Sequence, residues 1–314
     1  YGDAGNLSRR HACRNADGEF LRVGGLGLTG VIIKGIGGFY YVKAEDDIIE
    51  CKARGRFRKE GLVPMVGDTV SVSVKNGKGS IDEILPRTTM LIRPAVANID
   101  QLVVVVALRS PEPHAALIDH FLILGEHSGI ETVLCFNKAD LPHTQELVDI
   151  YRNAGYRVVL TSVETGEGVE ELKSLLKGKI TAFAGNSGVG KSSLLNALGA
   201  PEGLETGRVS EKIQRERHTT RHVELIELDG GALALDTPGF SSFEMPAVKA
   251  EELQDYFIEF APYIGGCKFR GCAHISEPGC AVLEAVEQGK VSKLRHNSYK
   301  ELYQELKKVK EWET

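Results

Sequence analysis

The segment from residue 185 to residue 192 is a glycine-rich run that ends in lysine and serine. Its residues are Gly185, Asn186, Ser187, Gly188, Val189, Gly190, Lys191 and Ser192, which match the pattern GxxxxGKS/T. A strand candidate at 179–184 precedes the run and a helix candidate at 191–199 follows it, as this pattern requires. Inward-turned backbone N–H groups and a helix N-terminus favour phosphate. We therefore predict a nucleotide phosphate loop, with Lys191 near the β- and γ-phosphates and Ser192 on Mg²⁺.

A second motif, NKxD, predicts that the base is guanine. It comprises Asn137, Lys138, Ala139 and Asp140 and follows the strand candidate 131–136. The Asp140 carboxylate can accept hydrogen bonds from N1–H and the 2-amino group of guanine. Adenine offers an acceptor at N1 and no 2-amino group, so it would leave this buried carboxylate unpaired, at a cost of about 1–3 kcal/mol or more. Alone the motif is weak, but beside a phosphate loop it predicts GTP or GDP as ligand.

The segment Thr161-Ser162-Val163 follows the next strand candidate, 156–161. We expect it to supply backbone donors to guanine O6, with Ser162 as the residue of interest. Val163 stands where a small residue is usual, so this element only suggests a guanine contact.

Two later segments are typical of GTPase switches. Asp236 and Gly239 form a DxxG motif at the end of the strand candidate 232–236, which predicts water-mediated Mg²⁺ binding by Asp236 and a γ-phosphate contact from the Gly239 N–H. A long polar stretch at 201–222 predicts a mobile switch whose threonine completes the Mg²⁺ shell. Its candidate residues are His218, Thr219 and Thr220.

The position after DxxG bears on catalysis. Many GTPases carry a glutamine there that orients the attacking water, but this chain has Phe240. A phenyl ring cannot hydrogen-bond water, so slow intrinsic hydrolysis is expected unless another group acts. His218 is our candidate, because imidazole can position a water proton near pH 7; the alternative is a solvated loop histidine.

The motifs run in a permuted order. An ordinary GTPase has the phosphate loop first and NKxD near the end, whereas here NKxD precedes the phosphate loop. The site can still form, because it depends on strand ends that meet in space and not on chain order. The permutation places the segment after DxxG directly before the C-terminal region, so we expect switch movement to reach that region.

Hydrophobic patterning predicts a multidomain α/β protein. Five short strands between residues 26 and 90 suggest an OB-fold barrel. Alternating strands and helices at 91–245 predict a mainly parallel, doubly wound sheet, and 246–314 is predicted to be helical. Strand candidates in the barrel are 28–33, 39–42, 47–51, 68–74 and 80–84; those in the sheet are 101–108, 131–136, 156–161, 179–184, 223–228 and 232–236.

Four potential metal ligands lie within 14 residues near the C-terminus: Cys267, Cys272, His274 and Cys280. Three thiolates and one imidazole describe a closed, tetrahedral structural zinc site. The alternative is a set of buried unpaired cysteines with an incidental histidine. The remaining cysteines are scattered, which favours a reducing compartment, and the cytoplasm is the expected location.

Charge and terminal sequence restrict the partners. A net charge of −5 means that any nucleic-acid contact must come from local basic patches. Lys52, Arg54, Arg56 and Arg58 alternate, so a strand would place them on one face suited to an RNA backbone, with Tyr40, Tyr41 or Phe57 available to stack on bases. The alternative is a solvated edge strand. Residues 1–25 are expected to form a flexible basic arm and do not resemble a secretory signal. No apolar run reaches the length needed to span a membrane.

Taken together, these motifs resemble those of the RsgA family, also called YjeQ or YloQ, over about residues 26–310. The resemblance implies an OB-fold, a circularly permuted GTPase domain and a zinc-binding helical domain, with a role in late maturation of the small ribosomal subunit and hydrolysis stimulated by that subunit. It implies guanine contacts at 137–140, phosphate contacts from Gly185 through Ser193, zinc ligands at the Cys/His cluster, and hydrolysis linked to His218. Arg221 replaces the third threonine of the family switch, so either Thr219 or Thr220 could meet Mg²⁺.

The leading hypothesis is a monomeric, Mg²⁺-dependent GTPase that contacts the small ribosomal subunit and its rRNA, with no membrane or DNA partner. A second hypothesis is an RNA-binding checkpoint whose nucleotide state sets affinity and whose hydrolysis is incidental. A third is a nucleotide-dependent factor that acts on free RNA. Charge reversal across Lys52, Arg54, Arg56 and Arg58 should abolish function without changing basal hydrolysis if the second is right. Stimulation by naked RNA equal to that by ribosomal subunits would support the third.

Overall fold

A computed structural model describes residues 28–75, 77–92, 94–201, 223–236 and 246–310. The predicted arm, the candidate residues His218, Thr219 and Thr220, the DxxG residue Gly239 and the following Phe240 lie outside these ranges. Among the described residues, an N-terminal barrel is followed by a sheet flanked by helices and then by a helical C-terminal part. Within these ranges, no helix has the length and hydrophobicity of a transmembrane segment.

The N-terminal part is a closed five-stranded barrel. Its strands are β1 (Leu28–Ile36), β2 (Phe39–Ala44), β3 (Asp47–Ala53), β4 (Thr69–Lys75) and β5 (Lys78–Ile84), with helix α1 (Gly55–Lys59) between β3 and β4. The neighbour order is β1-β2-β3-β5-β4, and β4 pairs with β1 to close the barrel. Valine and isoleucine side chains that alternate along the strands fill its interior. The predicted OB-type barrel is confirmed.

The predicted basic stripe is wrong as a strand face. Lys52 lies near the end of β3 and Arg54 in the connection that follows, whereas Arg56 and Arg58 lie on α1. The physical reason is Phe57, which is 3% exposed because α1 covers the barrel interior with it. Phe57 is therefore not available to stack on a base.

The junction after the barrel is pinned by a buried carboxylate. Asp68 is fully buried and accepts two hydrogen bonds from Arg87, at 2.7 and 2.8 Å, and one from the Met65 backbone N–H at 2.7 Å. A short ribbon of β6 (Met90–Leu91) and β7 (Val96–Ala97) follows. Because the fully buried Asp68 carboxylate needs these partners, the partly exposed Arg87 is held against it, and this ion pair fixes how the chain leaves the barrel.

The central sheet is mainly parallel, as predicted. Its strands are β8 (Gln101–Ala107), β9 (Glu131–Asn137), β10 (Arg157–Thr161), β11 (Ile180–Ala184), β12 (Glu224–Leu228) and β13 (Ala232–Asp236), in the order β10-β9-β8-β11-β13-β12. Only β12 runs antiparallel to its neighbour β13 within this set. Beyond β12, a single register pair, Lys34 with Glu224, joins the sheet to β1 of the barrel.

Helices cover both faces of this sheet. They are α2 (Ala115–Ser128), α3 (Glu146–Asn153), α4 (Val169–Leu176) and α5 (Lys191–Ala197). All seven residues of β8 are buried, which is the pattern of a strand covered on both faces. The ends of β9, β10 and β11 therefore meet at one edge, where the predicted motif residues begin.

The C-terminal part packs around aromatic side chains. It has three short 3-10 segments (Ala250–Tyr256, Ile258–Phe260 and Ile264–Gly266) and two α-helices, α6 (Ala281–Glu287) and α7 (Lys293–Lys310). The Tyr299 ring lies 5.0 Å from Phe260 and 5.1 Å from Phe257, centroid to centroid. The first half of this region is thus less regularly helical than predicted, because Pro262 and paired glycines interrupt it.

Candidate nucleotide and metal sites

The glycine-rich run forms a tight turn between β11 and α5. Gly185, Gly188 and Gly190 all have positive φ, at 141°, 80° and 96°. Lys191 Nζ donates to the backbone oxygens of Gly185 at 2.5 Å and of Asn186 at 2.8 Å. Burial lowers the pKa of Lys191 to about 8. The ammonium is thus held beside neutral oxygens that phosphate oxygens could replace.

Asn137 joins the guanine motif to the glycine-rich loop. Its side chain is 2% exposed, and Nδ2 donates to the Val189 backbone oxygen at 2.9 Å. The Thr161 hydroxyl donates to Asn137 Oδ1 at 3.1 Å and lies 3.2 Å from Cys135 Sγ. The amide is therefore fixed at both ends, and the ends of β9, β10 and β11 are bound together through one side chain.

Lys138 reaches over the same loop. Its backbone has φ of 63°, and Nζ donates to the Gly188 backbone oxygen at 2.8 Å and to that of Ser110. Ser110 belongs to the loop between β8 and α2, which sequence reasoning did not connect with the site. This lysine therefore holds a third segment against the phosphate loop.

Asp140 is oriented by Ser162. The Ser162 hydroxyl donates to Asp140 Oδ1 at 2.6 Å, and its oxygen accepts from the Thr165 backbone N–H at 3.2 Å. The Ser162 backbone N–H donates instead to the Glu167 oxygen at 3.0 Å. The side chain of Ser162, rather than its backbone N–H, is thus the group turned toward the guanine motif.

The structure brings the described motif residues together at one edge of the sheet. Ala139 donates its backbone N–H to the Thr161 oxygen, Ser192 and Ser193 are half-buried in the first turn of α5, and Asp236 ends β13. Sequence reasoning missed Thr161 as a bracing group, although it directly precedes Ser162. Its buried hydroxyl at a strand end was the available signal.

Replacing Gly190 with alanine is expected to destabilise the protein more than replacing Gly188. Both substitutions put a side chain at positive φ, which costs about 1–2 kcal/mol. A Cβ at Gly190 would also overlap Asn137 Nδ2, whereas at Gly188 the nearest atom is Pro111 Cδ at 3.7 Å. Urea unfolding would measure the difference in the free energy of unfolding. Equal losses in the two variants would contradict the bracing role of Asn137.

The Cys/His cluster has the geometry of a tetrahedral metal site. All four ligand atoms of Cys267, Cys272, His274 and Cys280 lie within 4.8 Å of one another. The Sγ atoms of Cys267 and Cys280 are 3.8 Å apart, and His274 Nδ1 lies 3.6 and 3.2 Å from them. Zinc with Zn–S of about 2.3 Å separates two sulfurs by about 3.8 Å. The donor set and spacing are consistent with zinc.

Surrounding groups hold this cluster in place. His274 Nε2 lies 2.7 Å from Gln254 Oε1, which leaves Nδ1 to face the sulfurs. His296 Nε2 lies 2.7 Å from the His274 backbone oxygen, and the Tyr299 hydroxyl donates to the Ala273 oxygen at 3.0 Å. Helix α7 therefore contacts the metal-binding loop directly.

A capping carboxylate stabilises the same loop. Glu277 accepts backbone N–H donors from Ala273, Ile275 and Ser276 at 2.9–3.0 Å. Burial alone would raise the pKa of Glu277, but the backbone N–H groups lower it to about 2. Neither Gln254 nor Glu277 belonged to the predicted ligand set, because their role depends on contacts and not on ligand chemistry.

Comparison with known families is consistent with this architecture. The profile described as RsgA GTPase matches residues 84–246, and the profile described as RsgA N-terminal domain matches residues 29–81. Together they span the barrel and the central sheet.

Curated relatives align over most of the chain. The protein from Alkaliphilus metalliredigens named "Small ribosomal subunit biogenesis GTPase RsgA" is 50% identical over 285 residues, covering 89% of this chain and 98% of the relative. The protein of the same name from Caldanaerobacter subterraneus subsp. tengcongensis is 50% identical over 284 residues, covering 89% and 96%.

Solved structures give the same result. YjeQ from Thermotoga maritima has a TM-score of 0.75 at 38% identity, covering 90% of this chain and 99% of its own. YloQ, described as a circularly permuted GTPase, has a TM-score of 0.75 at 38% identity, covering 92% and 99%. With identity at this level across the barrel, the permuted sheet and the C-terminal part, the chain belongs to the RsgA family of circularly permuted GTPases and is a GTP hydrolase.

Proposed function

We propose that this protein acts in late maturation of the small ribosomal subunit, binding the subunit and its rRNA through the barrel and the zinc-binding domain and hydrolysing GTP with stimulation by the subunit. The observation that carries the proposal is 50% identity, over 98% of its length, to a relative named as a small ribosomal subunit biogenesis GTPase. We place the protein in the cytoplasm as a monomer.

The geometry of the described motif residues supports the proposed nucleotide roles. Asp140, held by Ser162 at 2.6 Å, accepts from N1–H and the 2-amino group of guanine. The phosphates lie along Gly185 to Ser193, where Lys191 exchanges loop oxygens for phosphate oxygens. Mg²⁺, when bound, neutralises phosphate charge. Its proposed ligands are Ser192, a switch threonine (Thr219 or Thr220) and, through water, Asp236, while Gly239 contacts the γ-phosphate.

Nucleotide affinity is expected to fall as the pH rises through about 8, the value to which burial lowers the pKa of Lys191. Phosphate favours the charged ammonium, so binding above this pH requires uptake of a proton. Below it the contribution is complete, and above it each pH unit should raise the Kd for GDP by up to about tenfold. Calorimetric titrations from about pH 7 to about pH 9 would measure this. Guanosine, which has no phosphate, is the control ligand; an unchanged Kd for GDP would contradict the role of Lys191.

Hydrolysis is proposed to depend on His218, since Phe240 occupies the position of the usual water-orienting glutamine. We infer that contact with the subunit brings His218 to the attacking water. His218→Ala should then abolish the stimulation and keep nucleotide binding. His127→Ala, which changes an exposed histidine at the end of α2, is the matched control. Unchanged stimulated turnover in His218→Ala would reject this mechanism.

The zinc-binding domain is proposed to carry one structural zinc. Cys267, Cys272, His274 and Cys280 would hold it, and the ligand distances given above support this assignment. No position in this closed set is open for a substrate, so its role is to shape the surface that meets the subunit.

The test of the proposed function is the rate of GTP hydrolysis by the protein alone, with purified small subunits and with large subunits. We expect strong stimulation by small subunits only. Equal, slow rates in all three reactions would remove the ribosome as activator and leave the GTPase assignment intact.

A nucleotide-gated RNA-binding checkpoint is the second candidate function, favoured by the exposed cations of the barrel. Arg54 pairs with Asp82 at 2.6 Å, and Arg56 binds the Asp82 backbone oxygen. Lys52, Arg58 and Lys59 are also exposed, and Lys52 lies 4.7 Å over the Phe39 ring. Reversing the charges of Lys52, Arg58 and Lys59 should abolish RNA binding without changing basal hydrolysis. If binding persists, this surface is not the RNA contact.

A further inference from the structure

Arg295 is a buried cation at the contact between the C-terminal helix α7 and the GTPase domain. Its side chain is 1% exposed. Nε and Nη2 donate to the two oxygens of Glu259 at 2.7 and 2.9 Å, and Nη1 donates to Asp119 Oδ1 on α2. The guanidinium also lies over the rings of Phe257 at 4.5 Å and Tyr151 at 5.4 Å. One side chain thus binds carboxylates from both domains.

Asp119 links this cation to two helices of the GTPase domain. It is fully buried, and its Oδ1 also accepts a hydrogen bond from the Tyr151 hydroxyl of α3 at 2.9 Å. The Tyr151 ring packs against Phe136, 6.1 Å away, which directly precedes Asn137 in β9. A buried charge pair holds only in one arrangement, so Arg295 fixes α2 and α3 relative to each other and to β9.

The 109–114 loop, which leads into the first turn of α2, contacts the phosphate loop. Ser110 accepts the hydrogen bond from Lys138, and Pro111 Cδ lies 3.7 Å from where a Cβ of Gly188 would be. Residues 111–114 also line one pocket together with Gly185 and Asn186. The position of α2 therefore determines how the 109–114 loop rests on the phosphate loop.

We propose that Arg295 is a positioning residue for the nucleotide site: through Asp119 it fixes α2, so that the 109–114 loop braces the phosphate loop and slows nucleotide release. The proposal rests on the nucleotide site proposed above. Arg295 lies outside the proposed nucleotide site and acts only through Asp119 on α2. It gives the C-terminal domain a contact with α2 of the GTPase domain, in addition to the chain connection that follows DxxG.

The test is the rate at which the fluorescent nucleotide mant-GDP dissociates from the whole chain loaded with zinc. Asp119→Asn keeps the shape of the side chain and removes its charge. Arg295→Lys keeps the positive charge and removes the bidentate contact with Glu259. Tyr151→Phe removes only the hydroxyl. Each should release mant-GDP faster, by about fivefold to tenfold, which is the lower part of the range for coupling between sites.

Tyr299→Phe is the matched control. It removes a buried hydroxyl from the same helix, α7, but one that donates to the Ala273 oxygen of the metal-binding loop and not to Asp119. Melting temperature and zinc content would be measured for every variant. The proposal is supported if Asp119→Asn and Tyr151→Phe release mant-GDP faster than the wild type, while Tyr299→Phe releases it at the wild-type rate. For this comparison, the melting temperature of Tyr299→Phe must equal those of the two test variants.

Two results would overturn the proposal. One is wild-type release in folded Asp119→Asn and Tyr151→Phe; the other is equal acceleration in Tyr299→Phe, which would assign the effect to general loss of stability. Failure of the wild-type protein to bind mant-GDP would instead reject the proposed nucleotide site, and this inference with it. The binding measurement on the wild type separates these cases.

Discussion

Asp140→Asn is expected to change the preferred nucleotide from GTP to XTP, lowering kcat/KM for GTP by about a thousandfold, since a site built on hydrogen bonds strongly rejects a mismatched partner. The Ser162 hydroxyl donates to Oδ1 at 2.6 Å and should hold an amide oxygen in the same place. The amide Nδ2 would then face the 2-amino group of guanine, donor against donor. Xanthine has an oxygen at that position and accepts the hydrogen bond. Hydrolysis rates with both nucleotides would measure the change.

Asp149→Asn is the matched control for this prediction. Asp149 is an exposed aspartate on α3, so the same substitution there should leave both rates unchanged. Loss of GTP turnover in Asp140→Asn without any gain for XTP would show that Asp140 is needed for folding and not for reading the base.

The local geometry of the candidate nucleotide site was largely predictable because its determinants are local in sequence. The residues from 179 to 192 combine an apolar strand, a glycine-rich turn and a lysine that opens a helix, and the structure has β11 and α5 at those positions. Glycines at positive φ permit a turn that other residues would strain. Such a pattern fixes its own conformation whatever the rest of the chain does.

The basic stripe failed for the opposite reason. Alternation over Lys52, Arg54, Arg56 and Arg58 fits a strand, but so short a pattern also fits a strand that ends and a one-turn helix. Phe57 decided between them, because its ring is buried in the same hydrophobic core as the barrel strands. That information belongs to the assembled barrel and is absent from the local pattern.

Long-range polar contacts also could not be predicted from the sequence. Arg295 and Asp119 are 176 positions apart, and nothing in the charged pattern of α7 distinguishes Arg295 from its exposed neighbours. Gln254 beside His274 is a similar case. The first pair is fixed by packing between two domains and the second by packing within the C-terminal part. A single sequence therefore gives the ligands of a site more readily than the groups that orient them.

Cys272→Ser is expected to unfold the C-terminal domain by removing the proposed zinc. Zinc content should fall from about one ion per chain to near zero, and amide protection of 250–310 should be lost while β8 to β11 stay protected. Cys272 is only half-buried, so the substitution changes packing little and tests the ligand itself. Atomic absorption and hydrogen exchange would measure the two effects. Cys51→Ala, in the barrel, is the control that should keep zinc.

The free energies involved explain why zinc should contribute more than the hydrophobic core to the stability of this domain. A core of this size supplies only about 3–5 kcal/mol, whereas a structural zinc contributes about 10–16 kcal/mol. The aromatic cluster of Phe257, Phe260 and Tyr299 and the Arg295 contacts shape the domain, but they cannot replace that contribution. Retained protection of 250–310 in zinc-free Cys272→Ser would mean that packing against α2 holds the domain without metal. The zinc would then serve the outer surface of the loop and not the fold.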